Sequence, residues 1–248
     1  MSGAQEAAVE ESEQMDQADG LPHSRSPRAR FRRESLRLYA VTDRAWLSGR
    51  TLDSVVREAL DGGATFVQLR EKSLDGGAFR AAARSVQAVC ARYGVPFVIN
   101  DDVMLAKDIG ADGVHIGQDD MAAREARGLL GPDKIVGVSV QTAEEAVRAA
   151  RDGADYLGVG AVFPTGTKAD AASVSLKALR DICRAVDIPV VAIGGINVEN
   201  VARLSGSGIC GVAAVSAIFA ERDVRAAAAL LRAASERLFS GADAGGAL

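Results

Sequence analysis

From about residue 36 to residue 238 the chain alternates between two hydrophobic rhythms. Short, β-branched apolar runs read as strands buried on both faces, and longer stretches with apolar residues every three or four positions read as amphipathic helices. The runs Leu36 to Thr42, Thr65 to Leu69, Phe97 to Ile99, Gly113 to Ile116, Ile135 to Val138, Tyr156 to Val159, Val190 to Ile193 and Gly211 to Val215 predict eight strands. Between them lie amphipathic helical stretches, including Thr51 to Leu60, Asp75 to Tyr93, Thr142 to Arg151, Ser175 to Val186, Asn197 to Leu204 and Val224 to Leu238. Thr51 stands where an N-cap belongs, and Thr142 with Glu145 has the capping-box spacing. Gly94, with Pro96 just beyond, closes the second helix.

Strand followed by helix, repeated eight times in one body of residues 35–240, predicts an α/β fold, a (β/α)₈ TIM barrel. A doubly wound open sheet usually carries a glycine-rich loop after its first strand, and here that position reads Val41-Thr42-Asp43-Arg44. Residues 1–34 are acidic and then arginine-rich, with almost no apolar periodicity, so the composition predicts a disordered tail. Residues 241–248 read as a second, short tail.

Composition narrows the chemistry. A net charge of -4 over 248 residues and 4% aromatics argue against a nucleic-acid partner. No apolar run is long enough for a membrane span, and the N-terminus lacks a signal pattern. Three scattered cysteines give no disulfide framework, so a cytoplasmic location is expected. Two histidines exclude a histidine-rich metal centre, which leaves oxygen ligands for any metal.

In a barrel of this kind chemistry gathers at the C-terminal ends of the strands, and there the polar residues collect. Gln68, Arg70 and Lys72 alternate, so an extended strand end points all three to one side, a suitable arrangement for an anion. A rim ion pair of Lys72 with Glu71 is the plainer reading. Asn100-Asp101-Asp102 and Asp119-Asp120 bring four carboxylates to neighbouring strand ends; some suit helix N-caps, and together they suit Mg²⁺. Thr165-Gly166-Thr167-Lys168 offers hydroxyls, accessible N–H groups and an ammonium, either as a phosphate cradle or as an ordinary surface loop. Gly194-Gly195 and Val215-Ser216 match the phosphate site that barrels form after strands seven and eight, or serve only as tight turns. His115, on a buried run, reads as a hydrogen-bonded core histidine. Two anion-binding regions on one rim suggest two phosphorylated groups, one of them a diphosphate.

With these strings in order, the sequence resembles the thiamine-phosphate synthase family from about Leu38 to Phe219. The resemblance is carried by Tyr39-Ala40-Val41-Thr42-Asp43, Val67-Gln68-Leu69-Arg70-Glu71-Lys72, Ile99-Asn100-Asp101-Asp102-Val103 and Val114-His115-Ile116-Gly117-Gln118-Asp119-Asp120. Gly137-Val138-Ser139, Pro164-Thr165-Gly166-Thr167-Lys168, Ile193-Gly194-Gly195-Ile196 and Val215-Ser216-Ala217-Ile218 complete it. It implies a compact (β/α)₈ barrel that joins a hydroxymethylpyrimidine diphosphate to a thiazole monophosphate, forming thiamine phosphate and pyrophosphate. It further implies that Gln68, Arg70, Lys72, Asn100 and Lys168 hold the pyrimidine diphosphate, with Ser139 hydrogen-bonding in the same site. Asp101 and Asp120 would be the Mg²⁺ ligands, and Thr165, Thr167, Gly195, Val215 and Ser216 would receive the thiazole phosphate. Arg70, Lys72, Ser139 and Lys168 are then the expected catalytic residues. The partners are small-molecule substrates, and exposed barrel helices leave a homodimer open. The alternative is a thiazole tautomerase-like or regulatory barrel without condensation activity.

Overall fold

Short apolar stretches, most of them four residues long, alternate with helices along the chain. In the computed structural model, which describes residues 26–166 and 173–240, they become eight parallel strands. These are β1 (Leu38–Val41), β2 (Phe66–Leu69), β3 (Phe97–Asn100), β4 (Gly113–Ile116), β5 (Ile135–Val140), β6 (Tyr156–Val159), β7 (Val190–Ile193) and β8 (Gly211–Ala214). Each strand pairs with the next, and β8 returns to pair with β1, Leu38 opposite Val212, so the barrel closes without an edge.

The helices are α1 (Pro27–Arg30), α2 (Leu52–Asp61), α3 (Gly76–Tyr93), α4 (Val103–Ile109), α5 (Ala123–Leu130), α6 (Ala143–Arg151), α7 (Leu176–Ala185), α8 (Ser216–Phe219) and α9 (Val224–Glu236). Side chains start most of the long ones. Thr51, Asp75, Asp102, Thr142, Ser175 and Asp223 each accept the backbone N–H three residues on, satisfying a donor that the helix itself leaves orphaned. Glu145 does not complete the expected capping box at Thr142; its carboxylate accepts the N–H of Gln141, one residue earlier. The helix expected over Asn197 to Leu204 is only a 3₁₀ turn at Val201–Leu204. There Asn197 Oδ1 accepts the N–H groups of Glu199 and Asn200, and this local bonding competes with helix formation.

The expected tail boundary at residue 34 is wrong. Residues 26–36 are ordered and seal the N-terminal end of the barrel. Ser26 caps α1, and a 3₁₀ turn at Arg33–Leu36 leads into β1. Phe31 sets its ring 5.9 Å from Phe66 and 5.8 Å from Tyr156. Arg28 Nε lies 2.6 Å from Asp155, whose other carboxylate oxygen takes Arg127 and the N–H of Val136. Averaging over 34 residues hid this, because the barrel floor supplies the apolar partner that the segment lacks in itself. Residues 1–25 and 241–248, the rest of the expected tails, lie outside the described residues.

Alternation along the strands divides the core in two. One layer lies between barrel and helices; a smaller one inside the barrel includes Leu36, Tyr39, Val41, Phe66, Val98, Ile135, Tyr156 and Val191. The interior is therefore packed at its floor, and its polar positions lie towards the C-terminal mouth.

Candidate active site

The register that faces Phe66 inward also faces Gln68 inward, two residues nearer the mouth. Gln68 is buried, and its Nε2 donates to the Tyr39 hydroxyl at 2.6 Å. Beyond it, the β1 loop braces the β2 loop residue by residue. Thr42 Oγ1 accepts the N–H of Arg70 at 3.1 Å, and Asp43 Oδ2 accepts from Arg70 Nη1 at 2.8 Å. Arg44 Nε donates to Glu71 Oε2 at 2.7 Å, while Glu71 Oε1 accepts the N–H groups of Lys72 and Ser73. Burial pushes the Glu71 carboxyl up, but the Ser73 and Lys72 N–H groups and the Arg44 guanidinium together hold it below the usual range. Glu71 thus folds the loop around itself and does not pair with the Lys72 ammonium. Among the described residues no carboxylate lies within ion-pair distance of Lys72.

The acidic strand ends sort by role. Asn100 ends β3, half-buried. Asp101 takes a left-handed backbone, φ 66°, and its N–H donates to the His115 carbonyl on β4. A positive φ is unusual for a residue with a Cβ and marks a position fixed by its surroundings. Asp102 is the cap of α4, so that carboxylate has a structural task. Asp120 Oδ2 accepts the N–H of Gly117 at 2.7 Å, closing the loop after β4. Both Asp101 and Asp120 are exposed at the mouth.

His115 is buried as expected. Its Nδ1 meets the Tyr156 hydroxyl at 3.0 Å and its Nε2 meets Ser139 Oγ at 2.9 Å. The Ser139 carbonyl accepts from Gln118 Nε2, whose own oxygen is held by Arg148.

On the far side of the mouth, the loop after β6 is tied to the end of β7. Val162 and Phe163 donate their N–H groups to the carbonyls of Ile193 and Gly194. Thr165, half-buried, follows Pro164, whose carbonyl faces Gly195. A Cβ on Gly194 would lie 2.6 Å from Ala161, and one on Gly195 2.3 Å from the Pro164 carbonyl, with φ of 99° and 62°. Only glycine lets these backbones meet. Val215 and Ser216 follow β8, next to the β7 end, at the start of α8. Thr167 and Lys168 fall outside the described residues. Sequence reasoning passed over Asp43, Arg44, Tyr39, Tyr156 and Gln118. Asp43 and Arg44 were open to the strand-end rule, because they follow β1; the tyrosines carry no sign in a single sequence that they bond to one another.

The rim thus carries guanidinium, amide and carboxylate groups on β2 to β5 and close-packed backbone on β6 to β8. Known proteins are similar to this chain in sequence and fold. A family model described as thiamine monophosphate synthase matches residues 38–218. A thiamine-phosphate synthase of Clostridium tetani is 50% identical over 190 residues, which are 77% of this chain and 91% of that protein. One from Alkaliphilus oremlandii is 50% identical over 196 residues, 79% and 94% of the two chains. The solved thiamine phosphate pyrophosphorylase of Pyrococcus furiosus superposes with a TM-score of 0.77 at 40% identity, covering 83% of this chain and 98% of the other. With the matched segment running from the first residue of β1 into α8, the whole barrel and its mouth included, this chain belongs to the thiamine-phosphate synthase family.

Proposed function

We propose that the barrel mouth condenses 4-amino-2-methyl-5-hydroxymethylpyrimidine diphosphate with hydroxyethylthiazole phosphate, giving thiamine phosphate and pyrophosphate. The observation that carries this reading is the division of one rim into a charged half and a close-packed backbone half. Two substrates, one heavily charged and one a monophosphate, have separate places there. Arg70 and Lys72, on the loop that Asp43, Arg44 and Glu71 hold in shape, bind the diphosphate together with Gln68, Asn100, Ser139 and Lys168. Thr165, Thr167, Gly195, Val215 and Ser216 receive the thiazole phosphate.

In the reaction the bond from the exocyclic methylene carbon to the diphosphate oxygen breaks and its electron pair leaves with pyrophosphate. The aminopyrimidine ring spreads the resulting positive charge, and the thiazole nitrogen donates its lone pair to form the new C–N bond. That nitrogen has no proton to lose, so no general base is required. The barrier lies in the charge gathering on the leaving group. Arg70, Lys72 and Lys168 supply the cations that stabilise that charge. Fixing the thiazole by its phosphate supplies orientation.

The donor set fits Mg²⁺. Asp101 and Asp120 stand on adjacent strand ends, the donors are oxygens, and this ion commonly takes only one or two protein carboxylates. Among the described residues no larger acidic, histidine or cysteine cage competes for it. Mg²⁺ bound there would neutralise developing charge on the diphosphate.

A tautomerase-like or regulatory barrel would keep the monophosphate half and dispense with Asp101, Asp120, Lys72 and Lys168, all present in this sequence. The test is to mix both substrates with Mg²⁺ and measure pyrophosphate. Its release supports condensation; none, from folded protein, defeats it. Among the described residues no helix is long and apolar enough to cross a membrane. Assembly as a homodimer is checked by sedimentation.

A further inference from the structure

Five polar side chains from five strands form one line across the barrel interior. Gln68 Nε2 lies 2.6 Å from the Tyr39 hydroxyl, and Tyr39 Oη lies 2.8 Å from Tyr156 Oη. Tyr156 Oη is 3.0 Å from His115 Nδ1, and His115 Nε2 is 2.9 Å from Ser139 Oγ. The first four side chains are buried, and the line ends at half-buried Ser139 near the mouth. The sequence makes room for it. A Cβ on Gly137 would lie 2.1 Å from the Tyr156 ring, and one on Gly158 3.1 Å from the His115 ring. Phe31 and Phe66 pack the tyrosine rings from below. Burial raises both phenols far above the ordinary range, so both keep their protons.

Such a line has a direction. An amide nitrogen only donates, so Tyr39 Oη accepts from Gln68, and among the described residues the acceptor bonded to that hydroxyl is Tyr156 Oη, to which Tyr39 gives its own proton. Tyr156 then has its proton for His115 Nδ1, which must be bare. In a neutral imidazole the proton therefore sits on Nε2 and points at Ser139 Oγ. Ser139, already accepting, must turn its own proton elsewhere. We infer that Tyr39 and Tyr156 are positioning residues for the reaction: acting through His115, they fix the Ser139 hydroxyl as a donor directed into the mouth, where the diphosphate substrate binds. This rests on the proposed condensation for the identity of the acceptor. The direction of the line does not depend on it.

The test joins a spectroscopic readout to kinetics. Imidazole proton–nitrogen correlation spectra of the ¹⁵N-labelled full chain, assigned with His23→Gln, should show His115 neutral and protonated on Nε2. In Tyr156→Phe the Nδ1–H form should appear, and kcat for pyrophosphate release should fall about tenfold, the scale of one lost hydrogen bond. KM for the thiazole phosphate should stay within about twofold, since the line does not reach that half of the rim. Adding Ser139→Ala to Tyr156→Phe should cost little more than Ser139→Ala alone, because the tyrosine acts through the serine. If Tyr156→Phe fails to fold, Tyr39→Phe tests the same line one bond upstream. An Nδ1–H tautomer in the unmodified protein would overturn the proposal. So would an unchanged tautomer and unchanged kcat in the folded Tyr156→Phe variant. An unmodified protein with the Nε2–H tautomer but no pyrophosphate release would defeat the condensation and the positioning role with it, leaving only the direction of the line.

Discussion

The two ends of the barrel spend their charges differently. At the N-terminal floor, Asp155 is saturated: Arg28, Arg127 and the Val136 N–H all bond to one buried carboxylate, and aromatic rings fill the space beside it. At the C-terminal mouth, acids and bases also meet, but they serve to hold loops in shape, and the side chains of Lys72, Asp101 and Asp120 are exposed to solvent. A buried, fully bonded charge locks a structure, and an exposed one can exchange water for a substrate. The floor should therefore govern stability and the mouth turnover, and variants at the two ends should separate those quantities.

The largest effect is expected at the floor. Asp155→Ala leaves Arg127 and the Val136 N–H without their partner and should cost about 3 kcal/mol of stability in urea unfolding, with near-normal activity from the folded fraction. At the mouth the pattern should invert. Asp101→Ala and Lys168→Ala should each lose at least ~2 kcal/mol of transition-state stabilisation, read as kcat/KM, and Asp101→Asn, which keeps a side chain suited to the left-handed backbone at φ 66°, should lose activity with the melting temperature unchanged. Near-normal turnover in either would break the metal-assisted mechanism.

Smaller effects sharpen the contrast. Removing residues 1–34 takes away Phe31 and Arg28, and should lower unfolding free energy by roughly 1–3 kcal/mol, the range for losing a packed side chain and its bonds; an unchanged melting curve would mean that the segment seals nothing. Glu71 tests the mouth by pH. Its carboxyl is held below the ordinary range, so its stabilising contribution is complete above the unfolded-state value of about 4.3 and lost as pH falls through the lower folded value. Glu71→Gln should therefore be less stable than the unmodified chain at neutral pH, and the gap in unfolding midpoint should close in acid. A gap independent of pH would remove charge from the account of that loop.

Much of this was legible in the sequence, because the barrel is built from local signals. Strand length, glycine at helix ends and a Ser, Thr or Asp before most of the long helices act within a few residues, and the strand runs read from them match β4, β6 and β7 at their observed bounds. The strand-end rule likewise brought Gln68, Asn100, Asp101, Ser139, Gly195 and Val215 to one mouth. What escaped depends on partners distant in the chain. Arg28 finds Asp155 across 127 positions. Tyr39 and Tyr156 meet only after the barrel closes, and Glu71 chooses Arg44 over its neighbour Lys72 for reasons of loop geometry. The Asn197 helix was lost to bonds among amides that periodicity does not weigh.

The missing side chain of Gly137 has a consequence for how this barrel can change. Its space is filled by the ring of Tyr156 on the next strand, so the two positions share a single volume. An alanine at 137 is admissible only beside something smaller than tyrosine at 156. Homologous barrels should therefore substitute the two positions together, and a lineage that enlarges the first must surrender the phenol at the second.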